Sequence, residues 1–472
     1  MIVPHALRSR WSLGLAERRG LLVLGDAVAA VLAAVLALWL WALTAREPFA
    51  TEFLQTRWPW LVVFPAVWLA LNLGAYDHAR LPEQPADAFR DTLTAAALAF
   101  GLYLVLFFLA PRDSLPRLAI FYYLVAAVVF GLAWRLTYAR VFSSPYFQKR
   151  VLVVGAGWAG REIVAALEQF QAGRYRVVGL IDDDPRKAGH RVHEAPVLGG
   201  HASLLPAVQQ LGVSEIVLAI HGEIRGATFQ ALLDCRARGL SIIRMTSLYE
   251  QISGRVPLEH LDPDWVVAAY MDQNRIRLLY QLIKRAVDVA AGAAGLLALA
   301  ALFPLIALAI RLESPGPVLY RQTRLGQGGR PFTLYKFRSM VADAEADGRA
   351  RWASRDDARI TRVGALLRRT RLDEMPQFWN VFLGEMSLVG PRPERPEFTA
   401  DLEREIPFYR ARLIVKPGLT GWAQVNYGYA NTVADAALKL QWDLYYLKHR
   451  SLWLDFLILW RTVGVMLRLQ GT

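Results

Sequence analysis

Five long apolar runs constrain the fold of this chain more than any other feature. Four of them lie in the first third, at about residues 21–43, 58–75, 92–110 and 118–138, and the fifth covers about 287–310. Crossing the hydrocarbon core of a bilayer takes about 20 apolar residues in a helix, so each of the first four is long enough. The sequence predicts a membrane protein whose residues 1–145 form a four-helix transmembrane bundle.

Positive charge predicts the orientation of this bundle. The cations at its two ends are Arg8, Arg10, Arg18 and Arg19, then Arg135, Arg140, Lys149 and Arg150. Lys and Arg accumulate in cytoplasmic loops, so we expect both ends of the bundle in the cytoplasm. The whole chain carries 54 Lys and Arg against 41 Asp and Glu. In a membrane protein this surplus favours loops facing an anionic leaflet over a nucleic-acid partner, which we do not expect.

Length and cysteine content limit the remaining possibilities. At 472 residues the chain has room for two or three domains. Its single cysteine, Cys235, excludes an internal disulfide framework and a cysteine metal cluster. We expect this cysteine to fill the interior of a helix as a small apolar residue.

A glycine-rich turn follows the bundle in "KRVLVVGAGWAGREIVAALEQF". An apolar β-branched run at 151–154 leads into Gly155, Gly157 and Gly160, and a second strand ends at Asp182. Glycines at a strand-to-helix turn, a helix N-terminus and a following acid are the parts of a dinucleotide-binding unit. Strands and helices then alternate to about residue 245, so residues 146–270 are predicted to form a Rossmann-like, doubly wound parallel sheet.

Two interpretations of the glycines stay open at this point. They are equally needed for a tight turn that binds nothing, so a cofactor nucleotide in this domain is uncertain. A membrane-anchored NAD-dependent enzyme that modifies nucleotide sugars is the alternative function, and it would need a catalytic Tyr-x-x-x-Lys. Tyr280 and Lys284 have that spacing, but they lie at the start of an apolar run. We interpret them as interfacial anchors.

The fifth apolar run contains Pro304 and has cations on both sides. A proline inside a helix removes a backbone hydrogen bond and bends the helix. A straight crossing would place everything after residue 311 on the far side of the membrane. Cations at both ends favour a re-entrant helix over 284–311 that turns back at Pro304.

The C-terminal region, residues 278–472, carries the chemistry. Lys336 and Arg338 end a predicted strand, and the adjacent carboxylates Asp373 and Glu374 precede a helix. Arg368 and Arg392 flank this pair. Arginine binds phosphate oxygens in a fork, and carboxylates with substrate phosphate suit Mg²⁺. The expected phosphate-binding cations are therefore Lys336, Arg338, Arg368 and Arg392. The set fits phosphoryl transfer, whereas the competing interpretation is an ion-pair network at a helix start with Asp373 as its cap.

This region resembles the bacterial sugar transferase family, the monotopic polyprenyl-phosphate hexose-1-phosphate transferases. The segments that carry the resemblance are "KRAVD", "ESPGPVLYRQTRLGQGGRPFTLYKFRSM", "LRRTRLDEMPQFWNVFLGEMSLVGPRP", "VKPGLTGWAQVN" and "LQWDLYYLKHRSLWLDFLIL". Together they cover nearly all of the last 190 residues. With its N-terminal spans and Rossmann-like domain, the chain is similar to the large subgroup, which initiates exopolysaccharide or O-antigen repeat units.

The resemblance implies a two-step reaction and a role for each matching residue. Asp373 would attack the β-phosphate of a UDP-sugar, release UMP and hold the sugar phosphate covalently until undecaprenyl phosphate accepts it. Glu374 would help Asp373 to hold Mg²⁺, and Lys336, Arg368 and Arg392 would bind phosphate. Pro304 corresponds to the break in the family's re-entrant helix. Arg371 stands where many members have a small hydroxyl residue.

The same resemblance implies partners and a location. UDP-glucose is the expected donor, with UDP-galactose next, and the acceptor is undecaprenyl phosphate. The protein is expected in the bacterial inner membrane, surrounded by its lipids, with the catalytic domain on the cytoplasmic face. A homodimer is the expected assembly.

Overall fold

The computed structural model describes residues 15–76, 85–109, 117–142, 148–171, 174–224, 226–261, 277–341, 357, 359–428 and 432–467. The chain divides into two compact units, Met1–Ser253 and Gly254–Thr472. The first unit therefore holds the N-terminal helices and the α/β domain, and the second holds the predicted catalytic region. Arg8 and Arg10, which were used to orient the bundle, lie outside the described residues.

Four long helices occur where the four N-terminal apolar runs were predicted. They are α1 (Leu15–Ala45), α2 (Thr51–Leu71), α3 (Pro85–Leu109) and α4 (Arg117–Phe142). Small residues such as Ala30 and Ala34 on α1 are buried against a cluster that includes Phe64, Trp68 and Tyr123. Among the described residues, three helical segments are long and apolar enough to cross a membrane, namely Glu17–Ala45, Leu118–Phe142 and Leu278–Glu313.

A buried ion pair joins the first and fourth helices. Arg135 donates to Asp26 at 2.6 Å, and the Tyr76 hydroxyl donates to the same carboxylate at 2.8 Å. Asp26 and Arg135 are almost completely buried. Charged groups are costly in an apolar environment unless they are paired, so this contact fixes the register of α1 against α4.

The α/β domain contains the predicted parallel sheet. Its strands are β1 (Lys149–Val154), β2 (Tyr175–Ile181), β5 (Glu215–Leu218) and β6 (Ser241–Arg244), in the order β2-β1-β5-β6. All three pairings are parallel. A short antiparallel ribbon, β3 (Arg191–Val192) with β4 (Ala195–Pro196), lies between β2 and β5 in the chain. The strand order reverses direction at β1 and β5, as in a doubly wound fold.

Helices connect these strands as the alternation predicts. They are α5 (Trp158–Gln171), α6 (Leu204–Leu211), α7 (Gly226–Ala237) and α8 (Met245–Ser253). Cys235 on α7 is fully buried in an apolar cluster with Leu152 and Ile216. The expectation that this cysteine packs as a small apolar residue is confirmed.

The second unit begins before the predicted catalytic region. Val256 is fully buried and Leu258 and Leu261 nearly so, in the same core as Trp422 and Leu440. Trp422 Nε1 donates to Gly254 O at 3.0 Å. Residues 254–261 therefore pack as part of the C-terminal unit.

The rest of this unit consists of short strands and helices around one long helix. That long helix is α9 (Arg277–Glu313); the strands are β7 (Leu319–Leu325), β8 (Pro331–Phe337), β9 (Ser387–Val389) and β10 (Gly418–Thr420). The remaining helices are α10 (Arg362–Thr370), α11 (Phe378–Leu383), α12 (Pro396–Glu405), α13 (Trp422–Asn426), α14 (Val433–His449) and α15 (Leu452–Leu467). β7 pairs with β8 in antiparallel register, and β9 pairs with β10 in parallel.

Helix α9 covers the fifth apolar run. Pro304 lies inside it, and the helix is uninterrupted from Arg277 to Glu313. The predicted bend at Pro304 is therefore not visible as a break in the helix. Leu297, Leu305 and Leu308 are exposed on its surface. Exposed leucines are expected on a helix that faces lipid rather than water.

Candidate active site

The two adjacent carboxylates lie in a tight turn between two helices. Helix α10 ends at Thr370, the capping residue Arg371 has a left-handed backbone (φ 60°), and a 3₁₀ turn then covers Leu372–Gln377. A positive φ is uncommon for a residue with a side chain, so the surrounding contacts hold this reversal in place. Asp373 and Glu374 are 6% and 7% exposed. The turn thus buries two acids side by side.

Three cations surround Glu374. Its Oε1 lies 2.7 Å from Arg392 Nη2, with Lys336 Nζ and Arg371 Nη1 each at 3.7 Å. Burial raises the pKa of Glu374, but the attraction of Arg392, Lys336 and Arg371 outweighs it, and the pKa lies below its ordinary value. Glu374 is held as a carboxylate by the cations, and it anchors them in return.

Asp373 has a different environment. Its Oδ1 is buried and has no hydrogen-bond partner among the described residues. Burial and the neighbouring Glu374 charge raise its pKa, against the opposing pull of Lys336, Arg368 and Arg392. A buried carboxylate oxygen without a donor costs free energy in the folded protein. Because Oδ1 of Asp373 accepts no hydrogen bond from the described residues, it can meet an incoming group beside the cation cluster.

The predicted capping role is not observed for Asp373. The residue that caps α11 is Gln377, and it makes no side-chain cap hydrogen bond. Asp373 lies four residues earlier, inside the 3₁₀ turn. The alternative interpretation of the acid pair as a helix cap is not supported by this geometry.

The four predicted phosphate-binding cations have different positions. Lys336 and Arg392 meet at Glu374. Arg368 donates to Ser339 Oγ at 2.9 Å and acts on Asp373 through its charge. Arg338 donates instead to Pro315 O and Ser314 O, at 2.6 Å and 2.7 Å. The structure brings three of the four cations to the carboxylates, and it gives Arg338 a backbone contact elsewhere.

Lys336 is unusual among these cations. Removal from water, together with the charge of Arg392, lowers the pKa of its ammonium to about 8, although Glu374 acts in the opposite direction. A lysine with a lowered pKa holds its proton less firmly than one in water. Lys336 can therefore respond to additional negative charge, such as that of a substrate phosphate.

Two arginines that the sequence did not single out support the loop of Arg392. Arg412 Nη2 donates to Arg392 O at 3.0 Å, and Arg324 Nη1 donates to Pro393 O at 3.0 Å. Arg412 is itself buried and paired with Asp443 at 2.9 Å. A small pocket adjoins this loop and is lined by Pro391, Arg392 and Arg412. These two contacts join residues 20 and 69 positions apart in the chain, so no short-range pattern predicts that the arginines support this loop.

The donor set fits a magnesium ion only together with substrate. Among the described residues, no group of three or more His, Cys, Asp or Glu side chains could hold a metal. Asp373 and Glu374 supply two carboxylates, and Glu374 Oε1 is already taken by cations. Mg²⁺ commonly uses one or two carboxylates with waters and substrate phosphates. Asp373 and Glu374 would hold the ion, with phosphate oxygens completing its shell.

The glycine turn of the α/β domain is needed by the fold itself. Gly155 has φ +110°, and a Cβ there would lie 2.5 Å from Ala219 O. A Cβ on Gly160 would lie 2.0 Å from Gly155 O, whereas one on Gly157 would meet nothing within 4 Å among the described residues. Gly155 and Gly160 are therefore explained by close backbone contacts. Gly157 is the position that leaves room for a ligand.

Asp182, the predicted ribose ligand, is occupied by neighbours. Its Oδ2 accepts from Ala156 N at 2.8 Å and from Lys187 Nζ at 2.8 Å, and its Oδ1 accepts from Asp184 N at 3.0 Å. The acid thus ties the glycine turn to the end of β2. A ribose would have to compete with these donors.

Tyr280 and Lys284 both contact Asp455 on α15. The Tyr280 hydroxyl and Lys284 Nζ each lie 2.9 Å from Asp455 Oδ2, and Lys284 also lies 3.3 Å from the Tyr446 hydroxyl. Their hydrogen bonds tie the start of α9 to the rest of the second unit. The pair is placed as an anchor of the helix, and the α/β domain is not part of this compact unit.

Comparison with known proteins gives two family matches. The family described as bacterial sugar transferase matches residues 279–469, and the one described as CoA-binding domain matches residues 72–232. A solved structure of UDP-D-quinovosamine 4-dehydrogenase from Vibrio fischeri is 18% identical, with a TM-score of 0.20; it covers 25% of this chain and 96% of its own. That score is too low to indicate a shared fold.

Two curated relatives match more than half of this chain. An N-acetylgalactosaminephosphotransferase from Aeromonas hydrophila, acting from UDP-N-acetylgalactosamine on undecaprenyl phosphate, is 41% identical over 52% of this chain and 56% of its own length. An undecaprenyl-phosphate glucose phosphotransferase from Komagataeibacter xylinus is 34% identical over 67% of this chain and 58% of its own length. The chain thus spans little more than half of these two relatives.

A shorter relative is covered more fully. The UDP-glucose:undecaprenyl-phosphate glucose-1-phosphate transferase of Caulobacter vibrioides is 45% identical over 193 residues, which are 40% of this chain and 72% of that protein. The family match, residues 279–469, includes the region that carries the buried acid pair and its cations. From this similarity and the geometry of residues 336–392, the chain belongs to the bacterial sugar transferase family.

Proposed function

We propose that this protein transfers a sugar 1-phosphate from a UDP-sugar to undecaprenyl phosphate. The observation that carries the proposal is the unpartnered Oδ1 of Asp373, buried beside Glu374 and its cations. The names of the relatives support the substrate classes. Their names differ in the sugar, so UDP-glucose is the first donor to test, followed by UDP-galactose and UDP-N-acetylgalactosamine.

In the first step the Asp373 carboxylate attacks the β-phosphorus of the UDP-sugar. A bond forms between a carboxylate oxygen and that phosphorus, the bond from the phosphorus to the bridging oxygen breaks, and UMP leaves with the electron pair. Lys336 and Arg392 neutralise the phosphate charge, because cations placed at a transferring phosphoryl group stabilise its transition state. A bound Mg²⁺ would add further neutralisation of phosphate charge.

In the second step an oxygen of undecaprenyl phosphate attacks the same phosphorus. The bond to Asp373 breaks, the carboxylate is restored, and the product carries a diphosphate between lipid and sugar. The cations that bound the first phosphate group serve again, because UMP has left their site. Such a lipid-linked sugar would start an exopolysaccharide or O-antigen repeat unit.

The contacts of α9 support a re-entrant path in the membrane. Arg285, near the start of the helix, donates to Phe382 O, and Glu313, at its end, accepts from Val363 N. Both partners belong to one charged segment, residues 362–383. A straight crossing would place this segment, with its arginines and its two acids, alongside α9 in the hydrocarbon layer, where charged side chains are costly. Both ends therefore belong on one face, which we take as cytoplasmic because UDP-sugars are the donors.

We propose that the α/β domain has mainly a structural role. Its two sterically required glycines and its occupied Asp182 explain the motif without a ligand. The NAD-dependent alternative requires activity in the absence of the second unit. If the domain is only structural, a protein that lacks the residues after 310 should show no NAD-dependent conversion of UDP-sugars.

An activity assay tests the proposal. Purified protein in detergent is incubated with Mg²⁺, undecaprenyl phosphate and each UDP-sugar in turn, and UMP is measured together with the lipid product. We expect UMP and lipid-linked sugar in equal amounts for one donor. Sugar nucleotide oxidation with no lipid product would instead favour the NAD-dependent alternative.

A further inference from the structure

The last residue of α9 completes the cap of α10. Glu313 Oε1 accepts from Arg362 N at 2.6 Å, and Oε2 accepts from Val363 N at 2.8 Å. The N–H groups in the first turn of a helix have no partner within that helix. The cap residue of α10 itself, Thr361, accepts only from Gly364 N, at 2.9 Å. A carboxylate some 50 residues earlier in the chain therefore supplies the two missing acceptors.

The charge state of Glu313 agrees with this role. Its two carboxylate oxygens lie at the exposed N-terminus of α10, where they accept from Arg362 N and Val363 N. An ionised carboxylate at a helix N-terminus also interacts favourably with the helix dipole. The contact is both hydrogen-bonded and electrostatic.

The other end of the charged segment, residues 362–383, is bound by a residue near the start of α9. Arg285 Nη1 donates to Val381 O at 2.9 Å, and Nη2 donates to Phe382 O at 2.8 Å, in the last turn of α11. Between these ends α9 approaches α11 closely. A Cβ added to Gly295 would lie 2.3 Å from the Phe378 ring, and one on Gly292 would lie 3.2 Å from Phe382 Cα.

Apolar contacts connect α9 to the turn that carries the acids. Ile306 and Ile310 are buried with Phe337 and Leu367, and the side chains of Leu372 and Met375 pack on the same cluster. Leu372 and Met375 flank Asp373 and Glu374 in the 3₁₀ turn. The turn thus lies between α10 and α11. Glu313, at the end of α9, caps the N-terminus of α10, and Arg285, near the start of α9, caps the C-terminus of α11.

We propose that Glu313 is a positioning residue that couples the seating of α9 to the placement of the Asp373 nucleophile. The proposal rests on the transferase function given above. Asp373 follows α10 directly, whereas Lys336 is on β8 and Arg392 is in the loop after β9. A tilt of α10 would therefore move the nucleophile relative to Lys336 and Arg392 without displacing those two cations, whereas Arg368, which is on α10, would move with it.

This arrangement predicts a specific kinetic effect. Without the Glu313 acceptors, kcat of the UMP-releasing step should fall about tenfold or more, because small misplacements of reacting groups reduce rates strongly. KM for the UDP-sugar should stay within about twofold, because Lys336 and Arg392 keep their positions. A residue that only stabilised the fold would lower the amount of active enzyme and leave the kcat of the folded fraction unchanged.

The test compares four proteins in full-length form. They are the wild type, Glu313→Ala, Glu313→Gln, and the control Glu405→Ala, which removes an exposed glutamate at the end of α12. Each is assayed for UMP release, with the active fraction counted by tight-binding titration or burst amplitude. Amide hydrogen exchange is followed for peptides covering 359–378. The Gln variant keeps one acceptor oxygen and should retain a kcat between those of the wild type and the Ala variant.

The proposal predicts faster exchange at 362–364 in Glu313→Ala, a lower kcat, an unchanged KM and partial rescue by Gln. An unchanged kcat in Glu313→Ala, or a rise in KM alone, would overturn it. If the wild type releases no UMP from any donor, the proposed function fails. The exchange measurement then still decides the contact: unchanged protection at 362–364 in Glu313→Ala would overturn the positioning role on its own.

Discussion

Arg392 Nη2 lies 2.7 Å from Glu374 Oε1, so the guanidinium proposed to bind a substrate phosphate is anchored by the acid next to the proposed nucleophile. Arg412 also donates a hydrogen bond to the backbone carbonyl oxygen of Arg392. The two adjacent acids therefore have different roles. Glu374 holds the cations in place, and Oδ1 of Asp373 has no hydrogen-bond partner among the residues that the structure describes.

Arg392→Ala should remove most activity. We expect a loss of at least about 100-fold in kcat/KM, because a cation aimed at a transferring phosphoryl group is typically worth that much or more. Stability should fall by about 1–2 kcal/mol, at the low end for a charge-assisted hydrogen bond because Arg392 is partly exposed. Steady-state kinetics and thermal unfolding measure the two effects. Arg404→Ala, which breaks an exposed pair with Asp401 on α12, should change neither.

The glycine turn provides a matched pair of substitutions. Gly155→Ala should destabilise the α/β domain by about 1–3 kcal/mol, because it combines a positive φ with a clash against Ala219 O. Gly157→Ala should change stability by less than about 0.5 kcal/mol, since its Cβ would meet nothing nearby. Both should keep the specific activity of the folded protein. Loss of transfer activity in Gly157→Ala at full stability would show that a bound ligand is required there.

The sequence predicted local features well and distant contacts poorly. The sheet, the glycine turn and the acid pair follow from short-range patterns, and the structure contains all three. Lys336 and Arg338 are two positions apart, which would place them on one face of a strand. β8 ends at Phe337, so Arg338 leaves the strand and binds residues 314 and 315. Glu313 gave no signal, because its partners lie about 50 residues away.

The ion pair of Asp26 and Arg135 should be a strong determinant of the N-terminal helices. Arg135→Met leaves a buried carboxylate unpaired and should cost about 3–5 kcal/mol. Adding Asp26→Leu removes that charge and should restore part of the loss, although Tyr76 loses its acceptor. Unfolding in detergent, followed by intrinsic fluorescence, gives both values. If the double variant is less stable than the single one, the carboxylate has another stabilising role.

The path of α9 can be tested by labelling. Cys235 is replaced by Ser, and a new cysteine is introduced at the exposed Asp401 of α12. In intact cells a membrane-impermeant thiol reagent should not label this site, because a re-entrant α9 returns the chain to the cytoplasm. In the same background Pro304→Leu should favour a straight helix and expose part of the population to the reagent. Labelling of the protein that retains Pro304 would refute the re-entrant path.

The most direct test of the account is the mass of the protein after incubation with UDP-sugar and Mg²⁺ in the absence of lipid acceptor. We expect an increase equal to one sugar phosphate, located by peptide mapping to Asp373, together with one equivalent of UMP. Asp373→Asn should show neither and should lose at least about 1,000-fold in turnover, while its unfolding temperature stays near that of the wild type. UMP release by this variant, or a sugar phosphate attached at another residue, would contradict the central claim that Asp373 is the nucleophile.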